Sequence, residues 1–103
     1  MNNNTYWFIT GVANEGRLST SNTRCWGFFD DFAEAEQAVL VNDGDIYECE
    51  YQYMVIEGHK MGVMGIMSAD QYRHWYRWSK DEKKFFSVDT PDWAVNIVGW
   101  GIG

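Results

Sequence analysis

The sequence predicts an α+β domain, an antiparallel sheet of about four or five strands with one main helix packed on one face. Three observations lead there. Stretches that read as strands outnumber those that read as helices, short turns join most of them, and one segment, residues 31–41, carries helix signals at both ends. At 103 residues the chain has room for a single hydrophobic core and is read as one domain, 1–103.

Thr5-Tyr6-Trp7-Phe8-Ile9-Thr10 is rich in aromatic and β-branched side chains and reads as a first, well-buried strand. Residues 11–22, with their Gly, Ser, Thr and Asn, form either a loop or an irregular hairpin that ends in the Arg24 segment. The run Arg24-Cys25-Trp26-Gly27-Phe28-Phe29-Asp30-Asp31 then joins a dense aromatic stretch to the helix. Asp31 can accept a hydrogen bond from an early backbone N–H while Glu34 reaches back, and both carboxylates lie at the positive end of the helix dipole. With a 3.6-residue period, Phe32, Ala35 and Val39, flanked by Ala38 and Leu40, share one face. Glu34 and Gln37 take the other, so the helix, ending near Val41, is a lid for something apolar. Asn42-Asp43-Gly44-Asp45 stops it, Gly44 supplying the left-handed backbone that a helix terminus needs.

Residues 46–57 alternate, with Tyr47, Cys49, Tyr51, Tyr53 and Val55 on one face and Glu48, Glu50 and Gln52 on the other. Met54 and Ile56 extend the second row. The expectation is a long strand, aromatic inward and acidic outward in its first half. Glu57-Gly58-His59-Lys60 reads as a turn with a solvated His59, and 61–67 as a weak strand or a close-packed irregular segment. Ser68-Ala69-Asp70-Gln71 could cap a helix, yet 72–78 sorts well as a strand: Tyr72, His74, Tyr76 and Trp78 on one side, Arg73, Trp75 and Arg77 on the other. A charged turn over 79–83 and a returning strand over 84–88 complete a hairpin. Thr90-Pro91-Asp92-Trp93 resembles a helix start, and the Gly-rich 97–102 adds an edge strand.

Composition removes several classes of function. A 46% hydrophobic fraction with six each of Trp, Tyr and Phe argues against disorder. Eight Lys and Arg against fifteen Asp and Glu give a net charge of −7, which disfavours duplex nucleic acid and anionic membrane as partners. No apolar run approaches the roughly 20 residues that span a bilayer, and Met1-Asn2-Asn3-Asn4 is polar and uncharged, so a cytoplasmic protein is expected. Cys25 and Cys49 have no metal-binding spacing and read as small buried thiols.

The chemistry-bearing set is Arg24, Trp26, Arg73, Trp75, Arg77 and Trp78, with Tyr51 and Tyr53 as neighbours. Arg presents a planar fork of donors to phosphate, and Trp or Tyr a face on which a base stacks. Cross-strand Arg–Trp stacking is equally an ordinary way to finish a sheet face, so the same residues also fit a purely structural role. Cys25 with His59 or His74 could pair as nucleophile and base, but no nucleophile motif surrounds Cys25. Turn and capping roles account for Asp30/Asp31, Glu48/Glu50 and Asp43/Asp45. No phosphate-loop or dinucleotide glycine pattern is present, and neither catalysis nor a cofactor or metal is expected.

Arg24-Cys25-Trp26-Gly27-Phe28-Phe29, the Ala- and Glu-rich helix, Asn42-Asp43-Gly44-Asp45-Ile46, Tyr53-Met54-Val55-Ile56-Glu57, Trp75-Tyr76-Arg77-Trp78, Pro91 and the Gly-rich end resemble a family of small, uncharacterised proteins from bacteriophages and gut bacteria. The resemblance covers nearly the whole chain. It carries no catalytic assignment and implies a setting, that of the accessory proteins by which phages disable host defences. Two functions follow as expectations. One is a non-enzymatic binder that sequesters a small nucleotide-like anionic signal, with Arg24, Arg73 and Arg77 on phosphate, Trp26, Trp75 or Trp78 on the base, and a homo-oligomer interface that could complete the pocket. The alternative is an acidic inhibitor, an anti-CRISPR-like protein or nucleic-acid mimic, in which Glu34, Glu36, Glu48 and Glu50 cover a basic site on a host immune protein.

Overall fold

The computed structural model describes residues 5–12, 23–42, 52–60 and 73–92. They form five strands and one helix: β1 (Thr5–Val12), β2 (Thr23–Phe29), α1 (Phe32–Leu40), β3 (Tyr53–Lys60), β4 (Arg73–Ser79) and β5 (Lys84–Val88). The strands make one sheet in the order β2-β1-β3-β4-β5, with every neighbouring pair antiparallel. The α+β architecture is the expected one. Predicted features over 13–22, 43–51, 61–72 and 93–103 lie outside the described residues.

The helix begins as its sequence dictates. Asp31 has an extended backbone and its Oδ2 accepts from the Glu34 N–H at 3.3 Å. Ala35, Ala38 and Val39 are buried, which sets the apolar stripe against the sheet. The stop arrives before Gly44. Asn42 itself takes the left-handed conformation, at φ 53, and donates its N–H to Val39 O at 3.1 Å. Asparagine tolerates that conformation better than most side chains, so the helix needs no glycine to end.

On the helix side of the sheet Ile9, Met54, Ile56, Tyr76 and Phe85 pack with Ala35, Ala38 and Val39, and Trp7, Trp26, Phe29, Phe32 and Trp78 close the rim. The opposite face holds Val12, Tyr53, Val55 and Trp75, all buried too. This corrects the inside–outside reading of 46–57: Met54 and Ile56, assigned to the outward polar row, are the helix-facing core. Because both faces of β3 are buried, alternation there separates two cores, and the polar-out rule does not apply.

A second correction falls on Glu57-Gly58-His59-Lys60, which is the last half of β3 and not a turn. Glu57, Gly58 and His59 stand opposite Phe8, Trp7 and Tyr6. A Cβ on Gly58 would lie 2.6 Å from Cζ3 of Trp7, so the glycine marks the close approach of an indole ring to a strand. His59 is accordingly 8% exposed and not solvated. In β2, Ile9 faces Gly27 and Thr10 faces Cys25, which leaves Trp26 as the extra residue of a bulge and Gly27 at φ 155.

The β4–β5 hairpin matches expectation. Arg73, Trp75 and Arg77 alternate with His74, Tyr76 and Trp78, and Ser79 ties the turn by accepting from Lys83 N–H at its carbonyl (2.7 Å) and from Glu82 N–H at its Oγ (3.2 Å). Among the described residues no helix is long and apolar enough to cross a membrane.

Candidate ligand-binding site

The expected Arg and aromatic set divides among three places. Arg24 and Trp26 sit on β2, the outermost of the described strands on that side, where the exposed Arg24 guanidinium lies 4.2 Å from the Trp26 ring centroid and Trp26 packs on the helix-side core. Arg73 is committed elsewhere. Its Nε donates to Glu57 Oε2 at 3.0 Å, and the two side chains are 6% and 0% exposed. Arg77 is exposed at the far end of β4, with its guanidinium 5.8 Å from the Tyr53 ring centroid.

These positions are not adjacent. Two strands separate β2 from β4, so Arg24 and Arg77 are at least three inter-strand steps apart, about 14 Å. Arg24 also pairs with Gly11 in the row of helix-facing Met54, whereas Arg77 pairs with Tyr53 on the opposite face. The expected convergence of Arg24, Arg73 and Arg77 on one hollow is therefore absent. Trp75 and Tyr53 are buried edge-to-face at 6.2 Å, a core contact. Trp78 packs on Phe85 at 5.0 Å. Tyr51, Glu48 and Glu50 lie outside the described residues.

What remains around Arg77 is an open groove of about 420 Å³ lined by Gln52, Arg77, Trp78, Ser79, Lys80 and Phe86. Backbone pairing builds it: Arg77 stands directly opposite Phe86, and the Trp78 N–H donates to Gln52 O at 2.9 Å, drawing the start of β3 to the hairpin. Two cations and an exposed Phe86 ring thus meet at one end of the sheet, where Trp78 also contributes to the lining. Lys80 and Phe86 were not singled out from the sequence, which predicts the hairpin but not the register that places Phe86 opposite Arg77. The volume falls in the range of small-molecule sites, roughly 300–1,000 Å³.

Other candidates take structural places. Cys25 is half-buried, its thiol pushed up by burial and donating a weak bond to Gly27 O at 3.7 Å. It stands opposite Thr10, whereas His59 stands opposite Tyr6, four residues or about 13 Å along β1. His74 lies on the other face, its ring 4.6 Å from Phe32. Cys25 thus pairs with neither His59 nor His74. Around Glu57, the helix-free face gathers Arg73, His59 and Thr10, a buried polar group in which the His59 nitrogens and Thr10 Oγ have no hydrogen-bond partner among the described residues. Burial and the Arg73 charge lower the His59 pKa.

Of the acidic partner-binding set, Glu34 is exposed, while Glu36 accepts the Tyr76 hydroxyl. Among the described residues no three His, Cys, Asp or Glu side chains are grouped to hold a metal ion. Comparison with protein families, with curated proteins and with solved structures finds no match for this chain.

Proposed function

We propose that the protein is a non-enzymatic binder of a small, ring-bearing anion of nucleotide type, held at the Arg77 groove. One observation carries the reading: Arg77 and Lys80 share a groove with the exposed Phe86 ring in a chain whose net charge is −7. Guanidinium and ammonium groups supply charge-assisted donors to phosphate, and an exposed ring supplies a stacking face. Gln52 adds an amide that can donate and accept. Among the described residues the lining offers donors and a flat face suited to holding such an anion. The sequestration of a host signal nucleotide by a phage-type protein in the host cytoplasm is the setting of this proposal, and it rests on the family resemblance and the acidic charge alone.

A thermal-shift panel of linear and cyclic nucleotides tests it. A bound nucleotide at about 100 times its Kd stabilises the fold by about 2.7 kcal/mol, a readily measured rise in Tm. Arg77→Ala and Phe86→Ala, both at exposed positions, abolish that rise while leaving the unliganded Tm nearly unchanged, and ligand recovered after denaturation is chemically intact. A panel that leaves Tm flat, or a rise that survives both substitutions, removes the groove as the site.

A further inference from the structure

The span 77–84 contains Arg77, Lys80, Lys83 and Lys84, half of the chain's eight Lys and Arg, against Asp81 and Glu82. The hairpin end is therefore a small cationic island, net +2, on a chain of net −7. Strand register sets how two of those charges are presented. Arg77 pairs with Phe86 and Ser79 with Lys84, so Arg77, Phe86, Ser79 and Lys84 share the helix-free face. Arg77 and Lys84 are diagonal neighbours there, about 7–8 Å apart, with the Phe86 ring beside both. Lys80, in the turn, lines the groove with Arg77, and Lys84 adjoins it as Arg77's diagonal neighbour.

We propose that the ligand of this groove carries two or more linked phosphates, a nucleoside polyphosphate in preference to a monophosphate, with Lys84 as the residue that selects for the additional phosphate. The inference rests on the proposed function of the Arg77 groove and adds the ligand's charge. One phosphate between Arg77 and Lys80 leaves Lys84 unused; a second phosphate extends the anion along the diagonal to it. Lys84 presently faces a weaker competitor: its Nζ lies 3.6 Å from Glu82 Oε1, with the two side chains 55% and 63% exposed. A surface pair of that kind is readily exchanged for a polyphosphate oxygen. Glu82 consequently acts against the ligand, and its side chain is separable from the turn because it is the Glu82 N–H, not the carboxylate, that bonds Ser79.

Titration calorimetry of the full chain with AMP, ATP and inorganic tripolyphosphate, repeated on Lys84→Ala and Glu82→Gln, decides the matter. ATP is expected to bind about tenfold more tightly than AMP, as one added charge-assisted contact allows. Lys84→Ala brings ATP close to the AMP affinity and leaves AMP unchanged, and Glu82→Gln tightens ATP alone. Equal binding of AMP and ATP, both lost in Arg77→Ala but untouched by Lys84→Ala, overturns the polyphosphate inference while the groove stands. Tripolyphosphate binding as tightly as ATP shows simple ion pairing and overturns it as well. Absence of binding by all three probes removes both the inference and the groove reading beneath it.

Discussion

The Tyr76 hydroxyl donates a 2.6 Å hydrogen bond to Glu36 Oε2, tying the middle of β4 to the exposed flank of α1 across the main core. Burial and the neighbouring carboxylate both push the phenol well above its ordinary pKa of 10.0. Tyr76→Phe is expected to cost about 1–2 kcal/mol in urea unfolding, the range of a bond to a partly solvated charged acceptor. It also changes the alkaline limb. The unfolded chain releases the phenolic proton near pH 10 while the folded chain keeps it, so this contribution is present below pH 10 and lost as pH rises beyond it. Unfolding midpoints that fall equally for wild type and Tyr76→Phe above pH 10 would contradict the contact.

Arg73 and Glu57 form the least forgiving pair in the structure. Removing one partner leaves the other's charge buried without its counterpart, so Arg73→Ala or Glu57→Ala should each cost about 3–5 kcal/mol, a large share of the roughly 5–15 kcal/mol that holds such a domain folded. Replacing both with Met is expected to recover most of the loss, because two apolar side chains need no mutual charge. Circular dichroism melts of the singles and the double check this. A folded, unaltered Arg73→Ala protein would return Arg73 to the list of available cations.

That pair also shows how far the sequence could be read. The helix was legible because its signals are local: Asp31 caps Glu34, and Ala35 and Val39 fall on one stripe. The faces of β4 were legible for the same reason, as a two-residue alternation. Gly58 misled because the ring that requires it, Trp7, belongs to a strand about fifty residues away, and a glycine beside a histidine and a lysine otherwise signals a turn. The candidate site failed similarly. Composition shows that Arg24, Arg73 and Arg77 lie near Trp residues in the chain, but only the strand order sends them to an outer strand, a buried ion pair and a hairpin end. Gln52 enters the site through the same long-range arrangement, whereas Lys80 and Phe86 reach it through the local β4–β5 hairpin.

His59 should make stability pH-dependent on the acid side. It is buried beside the Arg73 charge, with Phe8 edge-on at 5.8 Å, and its pKa lies below the ordinary 6.5. The unfolded chain takes up a proton near pH 6.5 that the folded chain resists. Stability is thus full above that value and declines as pH falls below it, by at most about 1.4 kcal/mol per pH unit, levelling off once the folded imidazole also protonates. His59→Gln is expected to flatten this segment of the curve. Identical slopes for wild type and variant between about pH 7 and 5, measured by urea unfolding, would assign the acid sensitivity to other groups.

Two glycines separate steric from backbone cost. At Gly58 an added methyl meets the Trp7 ring at 2.6 Å, whereas at Gly27 it meets nothing within 4 Å and the only obstacle is φ 155. Gly58→Ala should therefore destabilise by about 1–3 kcal/mol through overpacking, and Gly27→Ala by about 1–2 kcal/mol through strain at the β2 bulge. A double-mutant cycle with Trp7→Leu distinguishes them. Shortening the ring relieves the tightest contact and leaves that with Thr5 Cγ2 at 3.0 Å, so Gly58→Ala costs clearly less in the Trp7→Leu background. The cost of Gly27→Ala, which touches no side chain, stays the same in both. Additivity at Gly58 would mean that Trp7 does not cover it, and the β1–β3 register that places the Glu57–Arg73 pair and His59 opposite Phe8 and Tyr6 would have to shift with it.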